Sequence, residues 1–216
     1  MVATILTHSE ESPAMAEMLR PERLADGSEP EGRIVICGLS WERYLGLDIA
    51  LGDDRPGPRF YYLDGSLEIM TTSNEHERIK EWIGGMLEIY FEETGLEVMP
   101  RGQATMRDLL RTAGAEPDKS WCIGEEKEFP DLVLEVALTS GGLDKLEIYR
   151  HFQVAEVWFW REGELEIFVL TDGANYKRAR KSRLFPKLDV GALQRAAGIR
   201  SWRDARQAFR QSIISE

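Results

Sequence analysis

The sequence predicts an α/β fold of the α+β kind, a mixed β-sheet flanked by helices, with an N-terminal β-hairpin and C-terminal helices. Three observations carry that expectation. Phe129 to Leu138 is a nearly continuous apolar run of strand length, bounded by Pro130 near its start, as in a strand covered on both faces. Phe60 to Met70 reads as a hairpin built on Asp64-Gly65. Ser73 with Glu75 to Glu77 opens a long amphipathic helix that ends near Gly95. At 216 residues the chain suits a single domain from 32 to 216, preceded by a peripheral or partly disordered segment at 1–31.

Composition excludes several classes. The apolar content of 43% and aromatic content of 9% are those of an ordinary globular protein. No apolar run approaches the roughly 18 residues a membrane span needs, so no membrane partner is expected. Residues 1–10 lack the basic and apolar regions of a secretory signal. Two cysteines, Cys37 and Cys122, make neither a disulfide framework nor a usual zinc set. A cytoplasmic protein with reduced thiols is the expectation. A net charge of −11 argues against a dedicated nucleic-acid surface, although Lys177 to Arg183 offers a local basic face or a solvated charged hairpin. Clustered carboxylates awaiting divalent cations would also add negative charge.

Taken in order, a short helix is expected at Met15 to Leu24 and a strand at Arg33 to Cys37. Ser40 caps a helix through Trp41, Tyr44 and Leu45, with Glu42 at the positive end of its dipole. In the long helix, His76, Ile79, Ile83, Met86, Leu87 and Tyr90 share one face, so His76 points toward the core. A core histidine with a satisfied hydrogen bond is the commoner reading of such a residue. Gly84-Gly85 would admit a close neighbour at about 1 kcal/mol per glycine. Leu96 to Met106 reads as one strand bent at Pro100, followed by a loop from Arg107 to Gly114. Val157 to Trp160 and Leu165 to Leu170 form a hairpin, Tyr176 to Leu184 an edge strand, and Pro186 to Ala197 and Trp202 to Ile213 two helices.

Glu135 is the anomaly in the central strand, because an ionised carboxylate is costly to bury without a partner. If Glu116 to Ile123 pairs with that strand about a turn centred between Glu126 and Lys127, Asp118 falls opposite Glu135, with Cβ atoms about 5 Å apart. Facing carboxylates repel, so one must hold a raised pKa or both must share a cation. Asp131 lies about 13 Å along the strand from Glu135, which makes it a strand-opening residue. Ser140 can cap a helix from Gly141 to about Phe152, on which Lys145 sits mid-stripe with Ile148, Tyr149 and Phe152. Snorkelling is the bland reading of Lys145. Convergence of Asp118, Glu135 and Lys145 is the sharper one.

These residues resemble a known family. Glu116-Pro117-Asp118, Pro130 to Val136, Thr139-Ser140, Lys145, Tyr149 and Val154 to Trp158 look like the putative restriction endonuclease family of the PD-(D/E)XK nuclease superfamily, over roughly residues 33 to 170. The resemblance implies a restriction-endonuclease-like core. It implies a Mg²⁺- or Mn²⁺-dependent DNA nuclease with Asp118 and Glu135 as metal ligands and Lys145 as the catalytic lysine. Ala137 stands where the superfamily lysine normally lies, and Lys145 would replace it from the following helix. His76 would join the catalytic set, with Glu75 or Glu77 as alternatives from the same helix start. The rival reading is a catalytically inactive nuclease fold that binds DNA or protein. A homodimer through Trp158, Phe159 and Trp160 is a third.

Overall fold

A computed structural model describes residues 31–52, 57–138 and 142–214. Two sheets and five helices make up these residues, and the expected α+β class holds. Sheet A contains β1 (Arg33–Cys37), β2 (Arg59–Leu63), β3 (Ser66–Met70), β5 (Met106–Arg107) and β6 (Ala113–Ala115), in the order β1-β3-β2-β6-β5. Sheet B contains β4 (Val98–Pro100), β7 (Lys119–Ile123), β8 (Leu132–Val136), β9 (Glu156–Arg161), β10 (Glu164–Thr171) and β11 (Asn175–Ala179), in the order β11-β10-β9-β8-β7-β4. Only β8 and β9 pair in parallel, so sheet B is mixed.

Each face of β8 has its own cover. Leu132, Leu134 and Val136 point into a core with Ile83, Met86 and Leu87 of α2 (Asn74–Thr94). Leu193 of α4 (Val190–Ala197) and Phe209 of α5 (Trp202–Ile214) complete it. Val133 faces the other way, into a core with Tyr61, Ala113 and Ala115 of sheet A and with Ile148 and Tyr149 of α3 (Lys145–His151). The outer side of sheet A is closed by α1 (Trp41–Leu51), whose Trp41 and Tyr44 pack on Phe60 and Tyr62. Residues 31–216 form one compact unit.

Local chemistry explains the boundaries. The Ser40 side chain caps α1 through the Arg43 N–H, Ser73 caps α2 through the His76 N–H, and left-handed Gly95 ends α2. The Gly84-Gly85 pair admits two neighbours: a Cβ on Gly84 would lie 2.5 Å from the Lys119 side chain, and one on Gly85 2.4 Å from Trp202. Asp131 accepts from the Ile123 N–H and from Lys127 Nζ, both at 2.7 Å, and so ties the mouth of the β7–β8 turn.

Four expectations need correction. Leu96 to Met106 is not one strand: β4 belongs to sheet B and β5 to sheet A. Pairing with β7 runs past Pro100 to the Arg101 N–H, which donates to the Ser120 carbonyl at 2.9 Å, and left-handed Gly102 then turns the chain away. The expected loop from Arg107 to Gly114 includes most of β6. The helix carrying Lys145 starts at Lys145 with Asp144 as its cap. Gly142, at φ +92°, cannot be helical, while Asp144 Oδ1 accepts from the Leu146 and Glu147 N–H groups. The edge strand and first C-terminal helix are shorter than expected, β11 ending at Ala179 and α4 starting at Val190 after Asp189 as its cap. Ser140 and the expected helix at Met15 to Leu24 lie outside the described residues.

The two sheets end differently. β11 carries exposed Lys177 and Arg178, whereas β1 exposes Ile34, Val35 and Ile36. Trp158, Phe159 and Trp160 are buried in the cores of the chain, which removes them as a dimer surface.

Glu156 supplies a stability test. It is fully buried, its Oε2 accepts from Trp158 Nε1 and Ser182 Oγ at 2.8 Å each, and its Oε1 accepts from the Arg183 and Leu184 N–H groups. Glu156→Ala leaves four donors unmatched, two of them buried, and is expected to lower unfolding free energy by about 3 kcal/mol in urea titration, with a smaller loss in Glu156→Gln.

Candidate active site

The chain passes from sheet A to sheet B at Glu116-Pro117-Asp118, between β6 and β7. Glu116 Oε2 accepts from the Phe60 N–H at 3.1 Å, which fixes the corner to β2. Lys119 pairs with Leu134 and Ser120 with Val133, so Asp118, one step beyond the ladder, stands across from Glu135. This is the register expected from the turn. Both carboxylates are fully buried.

Glu135 is surrounded by three donor side chains from two elements, β2 and α3. Lys145 Nζ, at the first turn of α3, donates to Oε2 at 2.6 Å. The Tyr61 hydroxyl of β2 lies 3.0 Å from Oε2 and 3.2 Å from Oε1, and the Tyr149 hydroxyl donates to Oε1. Lys145 Nζ also sits 3.8 Å from the centre of the Tyr61 ring, so the ammonium is held by a carboxylate and an aromatic face together. Burial pushes the Glu135 carboxyl above the usual range; Lys145 opposes that shift, and the charge of Asp118 adds to it.

Asp118 is held differently. Its Oδ2 accepts from the Val136 N–H at 2.8 Å. Its Oδ1 lies 2.9 Å from His76 Nε2 and 3.9 Å from Arg59 Nε, with neither donor aligned for a hydrogen bond. Burial alone would raise the Asp118 carboxyl, but His76, Lys145 and the Val136 N–H bring it below its ordinary value. On the far side of the imidazole, Nδ1 lies 2.6 Å from Glu31 Oε1. Burial would lower the His76 pKa, yet the flanking Asp118 and Glu31 raise it to about 9, so the ring is an imidazolium at neutral pH.

Asp118, Glu135, Lys145 and His76 are therefore brought together. Glu75 and Glu77 are not: each pairs with a cation on its own helix, Arg78 and Lys80. Tyr61, Arg59 and Glu31 were not foreseen, because their contacts depend on how sheet A lies against sheet B. Tyr149 carried a readable signal, four residues after Lys145 and hence on the same helical face. A cleft of about 390 Å³ opens beside the site, lined in part by Arg33, Lys145, Phe159 and Arg161.

Among the described residues no three His, Cys, Asp or Glu side chains form a metal-ligating group. Two carboxylates can still suffice for a hard cation that keeps its waters and takes substrate oxygens. The buried Asp118 Oδ1, with no aligned donor, is the kind of oxygen such a cation satisfies. Protonated His76 has no lone pair to offer and instead supports Asp118.

The pairing of His76 has a pH signature. A group whose folded pKa exceeds its unfolded value of 6.5 contributes stability that is whole below pH 6.5 and lost as pH rises through about 9. Wild-type unfolding free energy should fall across pH 6.5 to 9 by on the order of 3 kcal/mol, at about 1.4 kcal/mol per pKa unit. His76→Gln should abolish most of that slope in urea melts at stepped pH.

A structure of a putative nuclease belonging to DUF820, from Anabaena variabilis ATCC 29413, is 13% identical, with 79% of this chain and 99% of that one covered at a TM-score of 0.48. A likeness at that level adds no weight. A comparison with curated proteins returned no match. The family model described as Uma2, putative restriction endonuclease, matches residues 41–196, most of the chain and every site residue except Glu31. The chain belongs to the Uma2 putative restriction endonuclease family.

Proposed function

We propose that the protein is a divalent-metal-dependent nuclease that hydrolyses DNA phosphodiester bonds at Asp118, Glu135 and Lys145. The observation that carries the reading is the meeting of a buried acid pair with a partly buried lysine in a chain of this family. Asp118 and Glu135 would hold Mg²⁺ or Mn²⁺, which when bound supplies Lewis-acid polarisation of the phosphate and a more acidic water.

The remaining roles belong to the chain itself. Lys145 donates to a phosphoryl oxygen and stabilises the charge that develops there in the transition state. Tyr61 and Tyr149 orient the Glu135 carboxylate. His76 and the Val136 N–H orient that of Asp118. DNA is the proposed partner and the cytoplasm the proposed location; among the described residues no helix is long and apolar enough to cross a membrane.

A rival has its own support: both oxygens of Glu135 already have donors, and the net charge is −11. On that reading the acids hold structure and the protein is an inactive nuclease fold that binds DNA or protein. Calorimetric titration of Mg²⁺ and Mn²⁺ separates the two. Wild type should bind at least one ion, and Glu135→Ala should bind at least tenfold more weakly. Negligible binding by both proteins would sink the nuclease site. With plasmid and single-stranded DNA, wild type should cleave and Lys145→Ala should be slower by roughly 10²–10³-fold, the usual cost of one transition-state donor.

A further inference from the structure

The segment that delivers Lys145 is gripped by a carboxylate with no part in the chemistry above. Glu68 lies in the middle of β3, fully buried, with Tyr61 as its cross-strand neighbour on β2. Its Oε2 accepts from the Leu143 N–H at 2.6 Å, two residues before Lys145. Arg33 Nε of β1 lies 3.2 Å from Oε1. Gly142 presses so closely on the same carboxylate that a Cβ there would lie 2.1 Å from Oε2, and its φ of +92° already disfavours any side chain.

A buried carboxylate is an expensive way to hold a strand, where an apolar residue would serve. The contacts of Glu68 explain the expense, since those to Leu143 and Gly142 bear on the residues that lead into α3. Tyr61 and Glu68 also share one face of sheet A, the first reaching Glu135 and the second the approach to Lys145. One rigid hairpin thus sets both partners of the Lys145–Glu135 pair.

We propose that Glu68 is a positioning residue for Lys145, fixing the start of α3 so that the ammonium group reaches Glu135 and, with it, the scissile phosphate. The consequence for catalysis rests on the nuclease reading; the placement of Lys145 does not. The test uses the full chain and acetylation by a water-soluble succinimidyl ester, read by peptide mass spectrometry at Lys145 and normalised to exposed Lys187. Glu68→Ala should raise the Lys145 rate at least fivefold. Glu68→Gln, which keeps an acceptor for the Leu143 N–H, should fall between it and wild type.

On DNA, Glu68→Ala should lower kcat about tenfold at unchanged KM, and Glu68→Ala with Lys145→Ala should be no slower than Lys145→Ala alone. Wild-type labelling in folded Glu68→Ala overturns the proposal. So does faster labelling with kcat unchanged in an active enzyme. If Glu68→Ala fails to fold, Glu68→Gln and Gly142→Ala decide by the same labelling, with wild-type rates in both as the overturning result. If no protein cleaves DNA, the nuclease reading has failed while the labelling still decides the placement.

Discussion

The buried carboxylate of Glu135 is the constraint on which the site depends. Its strand belongs to sheet B, one tyrosine comes from sheet A, and the lysine and second tyrosine come from the helix that links β8 to β9. None of these elements satisfies the charge by itself. A misplaced hairpin or a shifted helix would leave an uncompensated ion in an apolar interior, at a cost of several kcal/mol. The charge therefore selects one arrangement of the three elements, where apolar packing alone would tolerate several.

Asp118 shows a second solution to the same problem a few residues away. Its negative charge is met by an imidazolium and a backbone N–H, and the imidazolium is itself held by a further acid. The result is a line of alternating charges running inward from Glu31 through His76 to Asp118. Such a line orients each group without exposing it to water. The two acids consequently differ in character although they stand across from one another. One is held below the usual carboxylate range by its neighbours, the other above it by burial.

Much of this was legible in the sequence where local chemistry dictates geometry. The turn before Asp131 sets the β7–β8 register, and that register alone sets Asp118 across from Glu135. Helical periodicity placed His76 inward and Lys145 on the face of Ile148 and Tyr149. What could not be read was set by tertiary contact. The break at Pro100 looked like a bend because nothing local says that the chain then joins a different sheet. The helix start looked earlier because Ser140 is as good a cap as Asp144, and nothing local shows that Gly142 takes a φ of +92°. Tyr61 lies in an aromatic run whose alternation gives a face but not the sheet it will meet.

The unequal edges of the two sheets have a consequence for growth of the structure. Sheet B is guarded at both ends, by cationic side chains on β11 and by the three-residue, proline-bearing β4. Among the described residues, sheet A ends in β1, with Ile34, Val35 and Ile36 exposed and its ladder bonded to β3 alone. An additional strand would thus meet least resistance beside β1, two strands removed from Tyr61 of β2. Extension there would lengthen the sheet without disturbing the hydroxyl that reaches Glu135. The fold has in effect an end at which it can be built upon and a centre that stays as it is.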